Sequence, residues 1–217
     1  MTKIYFDDTT FIWKTKLNLV EDKSKLLKES YELIKSTPKN DTDGYGYKQL
    51  WNNNLNFIGD IVVQNSIDKV MQIGINSCKE LYDELNTLYN KINTETWINM
   101  VRSKDPVQVE FKYDESKSSD RYHIHTEINK QIKSFVPNYT YVYYIQMPDV
   151  MDEEDGVLYF KGKNGKEYWI RPEEDELIIM TGDMPHAPNN APKSTIDRIV
   201  IAGNVGFELI KKENSLI

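Results

Sequence analysis

The sequence predicts an α+β protein in which a mainly helical first half packs against a β-rich second half. Two observations carry this. Apolar residues recur at helical spacing from about Thr15 to Thr96, and from Trp97 onward the period falls to two. A third concerns chemistry: the 217 residues include only three histidines, His123, His125 and His186, all in the second half. The length suits one domain, 1–217, with 1–96 as helical support and 97–210 as the β core.

The elements follow in order. Leu17, Leu19 and Val20 lead into Leu26, Leu27, Tyr31, Leu33 and Ile34, and Ser36-Thr37-Pro38 ends that first helix. Pro38 to Tyr47 is rich in Asp, Asn, Gly and Thr and reads as a loop. A second helical stretch is strongest from Ser66 to Ile92, with Val70, Ile73, Leu81, Leu85, Leu88 and Tyr89 as its core-facing stripe. Strands are then expected at Val107–Phe111, Tyr139–Met147, Gly156–Phe160, Glu167–Arg171, Glu176–Met180 and Asp197–Ala202. The Asn164-Gly165 step marks a hairpin between the third and fourth of these. Short strands separated by turn chemistry suggest a sandwich or jelly roll. The acidic runs Asp149–Asp155 and Glu173–Glu176 read as a solvated connection and an exposed turn.

Composition narrows the function. Apolar residues at 39% and charged residues at 28% are ordinary for a globular protein. No apolar run approaches the roughly 20 residues that span a bilayer, and the N-terminus carries acids where a secretory signal would be apolar, so a cytoplasmic protein is expected. A net charge of −7 argues against binding to nucleic-acid backbones. Cys78 is the only cysteine, which excludes an intramolecular disulfide and a thiolate cluster, and it reads as a small buried apolar residue.

The histidines are the candidate metal ligands. In a strand, residues two apart share a face, so His123, His125 and Glu127 would project together from Arg-Tyr-His-Ile-His-Thr-Glu. Non-haem iron(II) oxygenases use two histidines and a carboxylate on one face of the metal, leaving the other open. His125 and Glu127 with His186 would meet that need, and His123 and His125 with His186 would give a three-histidine variant. Both sets remain open on the sequence. His186 ends a strand-and-turn segment, Met180-Thr-Gly-Asp-Met-Pro-His186. Twelve residues beyond it, Arg198 sits in an otherwise apolar strand, where a guanidinium needs a partner such as a carboxylate.

Together these residues resemble the double-stranded β-helix of the iron(II)- and 2-oxoglutarate-dependent oxygenases. They are most similar to the prolyl-hydroxylase-like oxygenases of marine bacteriophages. The matching segments are the H-x-H pair, Val142-Tyr-Tyr-Ile-Gln-Met-Pro148, Gly156-Val-Leu-Tyr-Phe160, Pro172-Glu173, His186 and the run from Arg198 to Asn204. The resemblance covers about residues 97 to 208. It implies a double-stranded β-helix (jelly roll) catalytic core and iron(II) held by His186 with His125 and Glu127, or with His123 and His125. It further implies that Arg198 binds the far carboxylate of 2-oxoglutarate, with Tyr141 or Tyr143 donating to that carboxylate. The usual H-x-D is absent, and Ile128 to Pro137 is long enough to form a lid or substrate loop.

The activity so implied is that of a dioxygenase: 2-oxoglutarate and dioxygen are consumed, succinate and carbon dioxide are released, and an unidentified small molecule or peptide is hydroxylated. Two rivals fit the same residues. H-x-H followed by Gly-Asp-Met-Pro-His also echoes a cupin-type metalloprotein, an isomerase or a cofactor-independent dioxygenase. A non-catalytic jelly-roll binding module is the other. For a phage-encoded enzyme the location would be the host cytoplasm.

Overall fold

A computed structural model describes residues 1–19, 23–36, 47–51, 59–82, 87–101, 122–125, 138–149, 152–189, 191 and 194–211. Its elements run β1 (Thr2–Tyr5), β2 (Phe11–Lys16), α1 (Lys23–Ser36), β3 (Tyr47–Trp51), α2 (Gly59–Tyr82) and β4 (Thr87–Val101). They continue with β5 (Asn138–Gln146), β6 (Leu158–Lys161), β7 (Glu167–Ile170), β8 (Glu176–Thr181), β9 (His186–Pro188) and β10 (Arg198–Lys211). Seven strands form one antiparallel sheet in the order β1-β2-β8-β5-β10-β4-β3, and three form a smaller sheet, β7-β6-β9.

The β-rich second half matches expectation, and the first half is helical only in part, in α1 and α2. It contributes four strands, β1 to β4, all to the large sheet. Leu85, Leu88 and Tyr89 satisfy helical spacing as well as an extended run would. β4 overrides that local pattern because it pairs along its whole length with β10, from Arg198↔Val101 to Lys211↔Thr87. Phe11-Ile-Trp-Lys-Thr-Lys is a β-branched and aromatic segment whose partner, β8, is far away in sequence. The expected strand Val107–Phe111, most of the loop Pro38–Tyr47 and the segment Ile128–Pro137 lie outside the described residues.

Strand alternation divides the core in two. One face of the large sheet presents Ile98, Tyr139, Tyr141, Tyr143, Ile145, Leu177, Ile179, Ile199 and Ile201 to the helices. From the helices, Leu26 of α1 and Val62, Val70 and Ile73 of α2 meet them at spacings of one helical face. The opposite face presents Ile12, Tyr144, Ile178, Met180 and Val200 to Leu158 and Phe160 of the small sheet. The layers are therefore helices, large sheet, small sheet. The β6–β7 hairpin closes on Asn164-Gly165, where Gly165 takes φ 78° with open space around it, so only the backbone demands a glycine there.

The two acidic runs are less solvated than their composition suggests. Asp175 and Glu176 are buried. Asp175 accepts from the backbone N–H groups of Asn18 (2.9 Å) and Leu19 (3.0 Å) and from the Tyr143 hydroxyl (2.9 Å). Glu176 pairs with Lys14 at 2.7 Å and accepts from the Glu173 N–H at 2.8 Å. In the other run Asp155 is buried and accepts from the Asp152 N–H at 3.0 Å. Asp175 and Glu176 thus tie the start of β8 to the N-terminal segment, while Asp155 closes its own turn.

Candidate metal centre

The three histidines converge at one end of the space between the sheets. His186 opens β9, and its backbone is joined to His123 by reciprocal hydrogen bonds, both 3.1 Å. His125 follows through its N–H to the Gly182 carbonyl at 2.8 Å. Residues 123 and 125 thus lie beside the start of β9 and the turn before it, without forming a longer strand. Their imidazoles fall on one side as the period of two requires. Ring centroids lie 4.3 Å apart for His123–His186, 4.9 Å for His123–His125 and 5.1 Å for His125–His186. One nitrogen from each lies within 4.8 Å of the others.

The imidazoles are prepared to ligate. His186 is buried, and its Nδ1 sits 3.0 Å from the Met184 carbonyl. With Nδ1–H donating there, Nε2 keeps a free lone pair, and the ring is oriented by its backbone partner. Desolvation holds His186 well below the usual imidazole range, with His123 and His125 adding repulsion. Desolvation also lowers His123, and it brings His125, beside His123, down to about 4. Neutral imidazoles are the ligating form. Trp97 covers His125 at a ring-centroid separation of 5.5 Å.

Arg198 stands on the facing sheet at the start of β10 and is 5% exposed. Its Nη1 donates to the Asn189 carbonyl at 3.2 Å, and its Nε has neither solvent nor a partner. No carboxylate pairs with it among the described residues. A buried guanidinium left in this state is costly unless an anion completes it. The residues therefore fit the two groups the resemblance implies: a divalent metal at the imidazoles and a carboxylate at Arg198.

Two expected site residues are not brought to this place. Tyr141 and Tyr143 point to the helical layer, where Tyr141 shares a hydrogen bond with Thr96 at 2.9 Å and Tyr143 donates to Asp175. The reason is the strand period: both stand on the face of β5 opposite to that of Tyr144. Tyr144 is the tyrosine on the inner face, opposite Val200 in register and under the electrostatic influence of Arg198. The signal was present in the sequence as the parity of the run, once the face of one residue was known. Glu127 lies outside the described residues.

No family model and no curated protein matches the chain by sequence. Solved structures do match by shape. A prolyl-4-hydroxylase from Pseudomonas putida superposes with a TM-score of 0.57 at 12% identity, covering 90% of this chain and 92% of that one. A prolyl hydroxylase from Trichoplax adhaerens, in complex with a hypoxia inducible factor oxygen degradation domain peptide fragment, gives 0.55 at 14% identity over 90% and 83%. The chain has the prolyl hydroxylase fold, a jelly roll, with a histidine cluster able to hold a metal. Neither neighbour is a bacteriophage protein, so the phage source has no support here. No helix among the described residues is long and apolar enough to cross a membrane.

Proposed function

We propose that the chain is an iron(II)- and 2-oxoglutarate-dependent dioxygenase that hydroxylates a small molecule or peptide and releases succinate and carbon dioxide. The observation that carries this is the pairing of three clustered histidines with a buried arginine whose Nε lacks a partner on the facing sheet. His125 and His186 would hold the metal, and His123 or Glu127 would complete the set. Iron(II), when bound, supplies the redox chemistry that couples oxidative decarboxylation of the co-substrate to C–H hydroxylation.

The chain's own residues do the positioning. Arg198 anchors the far carboxylate through charge-assisted hydrogen bonds, and the inner-face Tyr144 takes the role expected of Tyr141 or Tyr143. Met184 fixes the tautomer of His186. Phe160, Met180 and Trp97 wall the space with apolar surface and exclude water. Because the Trichoplax neighbour holds a peptide, a proline-containing peptide is the first substrate class to try. Anaerobic mixing of the apoprotein with iron(II) and 2-oxoglutarate is expected to give a visible charge-transfer band, and aeration to give succinate. No band and no succinate would overturn the reading.

One observation favours a second reading. The ligand set visible among the described residues is all histidine, which also suits a cupin-type metalloprotein that needs no 2-oxoglutarate. Such a protein has no use for Arg198, so oxygen consumption that survives Arg198→Ala and proceeds without 2-oxoglutarate would select it.

A further inference from the structure

We propose that Asn99 is a further positioning residue for the dicarboxylate co-substrate, donating its side-chain amide to a carboxylate oxygen from the side of Arg198 opposite Tyr144. The inference rests on the oxygenase reading and adds a residue that the metal-ligand and arginine pattern did not indicate. Three observations lead to it.

The first is register. Val200 of β10 stands opposite Tyr144 of β5 on one side and Asn99 of β4 on the other. Residues paired this way share a face, so Tyr144, Val200 and Asn99 form one row looking toward the small sheet. Arg198 occupies the neighbouring row on the same face of the central strand. The guanidinium therefore starts one row away from a phenol on one neighbouring strand and an amide on the other.

The second is the state of the amide. Asn99 Oδ1 has no solvent and no hydrogen-bond partner, like Arg198 Nε one row along. Buried amides are nearly always satisfied, and an orphaned one asks for an explanation. A half-turn of the amide presents Nδ2–H in place of Oδ1, which gives the row a second donor. The third is position along β4: the preceding residue on this face is Trp97, which lies against His125. Asn99 thus stands between the metal cluster and Arg198, the stretch that a five-carbon diacid must cross. A diacid with a keto group offers only acceptors, so donors on both flanks of the arginine match it.

The test is an anaerobic titration of the iron(II)-loaded protein with 2-oxoglutarate, read by the charge-transfer band, for wild type, Asn99→Ser and Asn99→Asp. Loss of one hydrogen bond to a charged group is expected to raise the Kd about tenfold in Asn99→Ser. Asn99→Asp is expected to weaken binding further, because it sets a carboxylate against a carboxylate. Iron(II) affinity, measured by competition with a chromophoric chelator, is expected to stay unchanged in both, and should Asn99→Asp fail to fold, Asn99→Ser carries the test. Wild-type binding with both variants within about twofold of it would overturn this role alone. A wild type that takes iron(II) but no 2-oxoglutarate would overturn the oxygenase reading and this inference together.

Discussion

At the scale of single residues, the two ends of the proposed co-substrate site separate cleanly. Arg198 is buried on the large sheet, and the histidines project from β9 and its neighbouring segment. Arg198→Ala is therefore expected to raise the Kd for 2-oxoglutarate by roughly 10- to 150-fold, the loss of a charge-assisted hydrogen bond, with iron(II) binding unaffected. Tyrosine placement gives a sharper comparison. Tyr144→Phe is expected to weaken 2-oxoglutarate binding, whereas Tyr143→Phe is expected to leave it unchanged and to lower stability by about 1 kcal/mol, the net value of the bond to Asp175. Isothermal titration and thermal melts of the two variants check both halves.

The sequence already named the three histidines and Arg198, because rarity and an isolated charge in an apolar strand are visible in one dimension. The inward face of the tyrosine run was not, since a strand of nearly continuous apolar and aromatic residues hides which face is which. Asn99 was equally hidden: a lone amide in Thr-Trp-Ile-Asn-Met-Val gains meaning only when β10 pairs beside it.

At the scale of elements, β5 to β8 and β10 were legible from alternation and from the Asn164-Gly165 turn, whereas the three-residue β9 was not. The strands of the first half were not: β2 and β4 enter the sheet through β8 and β10, far along the chain, and local spacing in β4 suited a helix. One contact between distant elements is held by Asp7. It accepts from the N–H groups of Thr9 and Thr10, from the Tyr168 hydroxyl at 2.8 Å and from Asn164 Nδ2 at 2.9 Å, joining the β1–β2 turn to the β6–β7 hairpin. Hydrogen bonds from Thr9 and Tyr168 are the leading causes that hold its carboxyl below the ordinary carboxylate range. A depressed folded-state pKa stabilises above the unfolded value and is lost as the pH falls below it. Asp7→Asn is therefore expected to lower the melting temperature at pH 6. The gap to wild type should begin to close as the pH passes below about 4, and melts across that range measure it. A gap that stays constant down to pH 2 would refute this account of Asp7.

At the scale of the whole molecule, the described residues form two sheets and a helical layer, and the proposed chemistry lies where the sheets face each other. The helices buttress the outer face of the large sheet, which keeps β4, β10 and β5 in register and so sets the row of Asn99, Val200 and Tyr144 and, next to it, Arg198. The small sheet carries His186, and the segment bridged to it carries His123 and His125. The reciprocal backbone bonds between His123 and His186 make this division more than spatial. An ion gripping both side chains would also fasten the two peptide segments behind them, so occupancy and local order become one equilibrium. Metal should therefore act as a stitch at that edge. The amide protons of His123 and His186 are expected to exchange with solvent more slowly in the metal-loaded protein than after chelation, while those of β5 and β10 exchange alike in both. Hydrogen–deuterium exchange read at those positions would register the ion without any turnover at all.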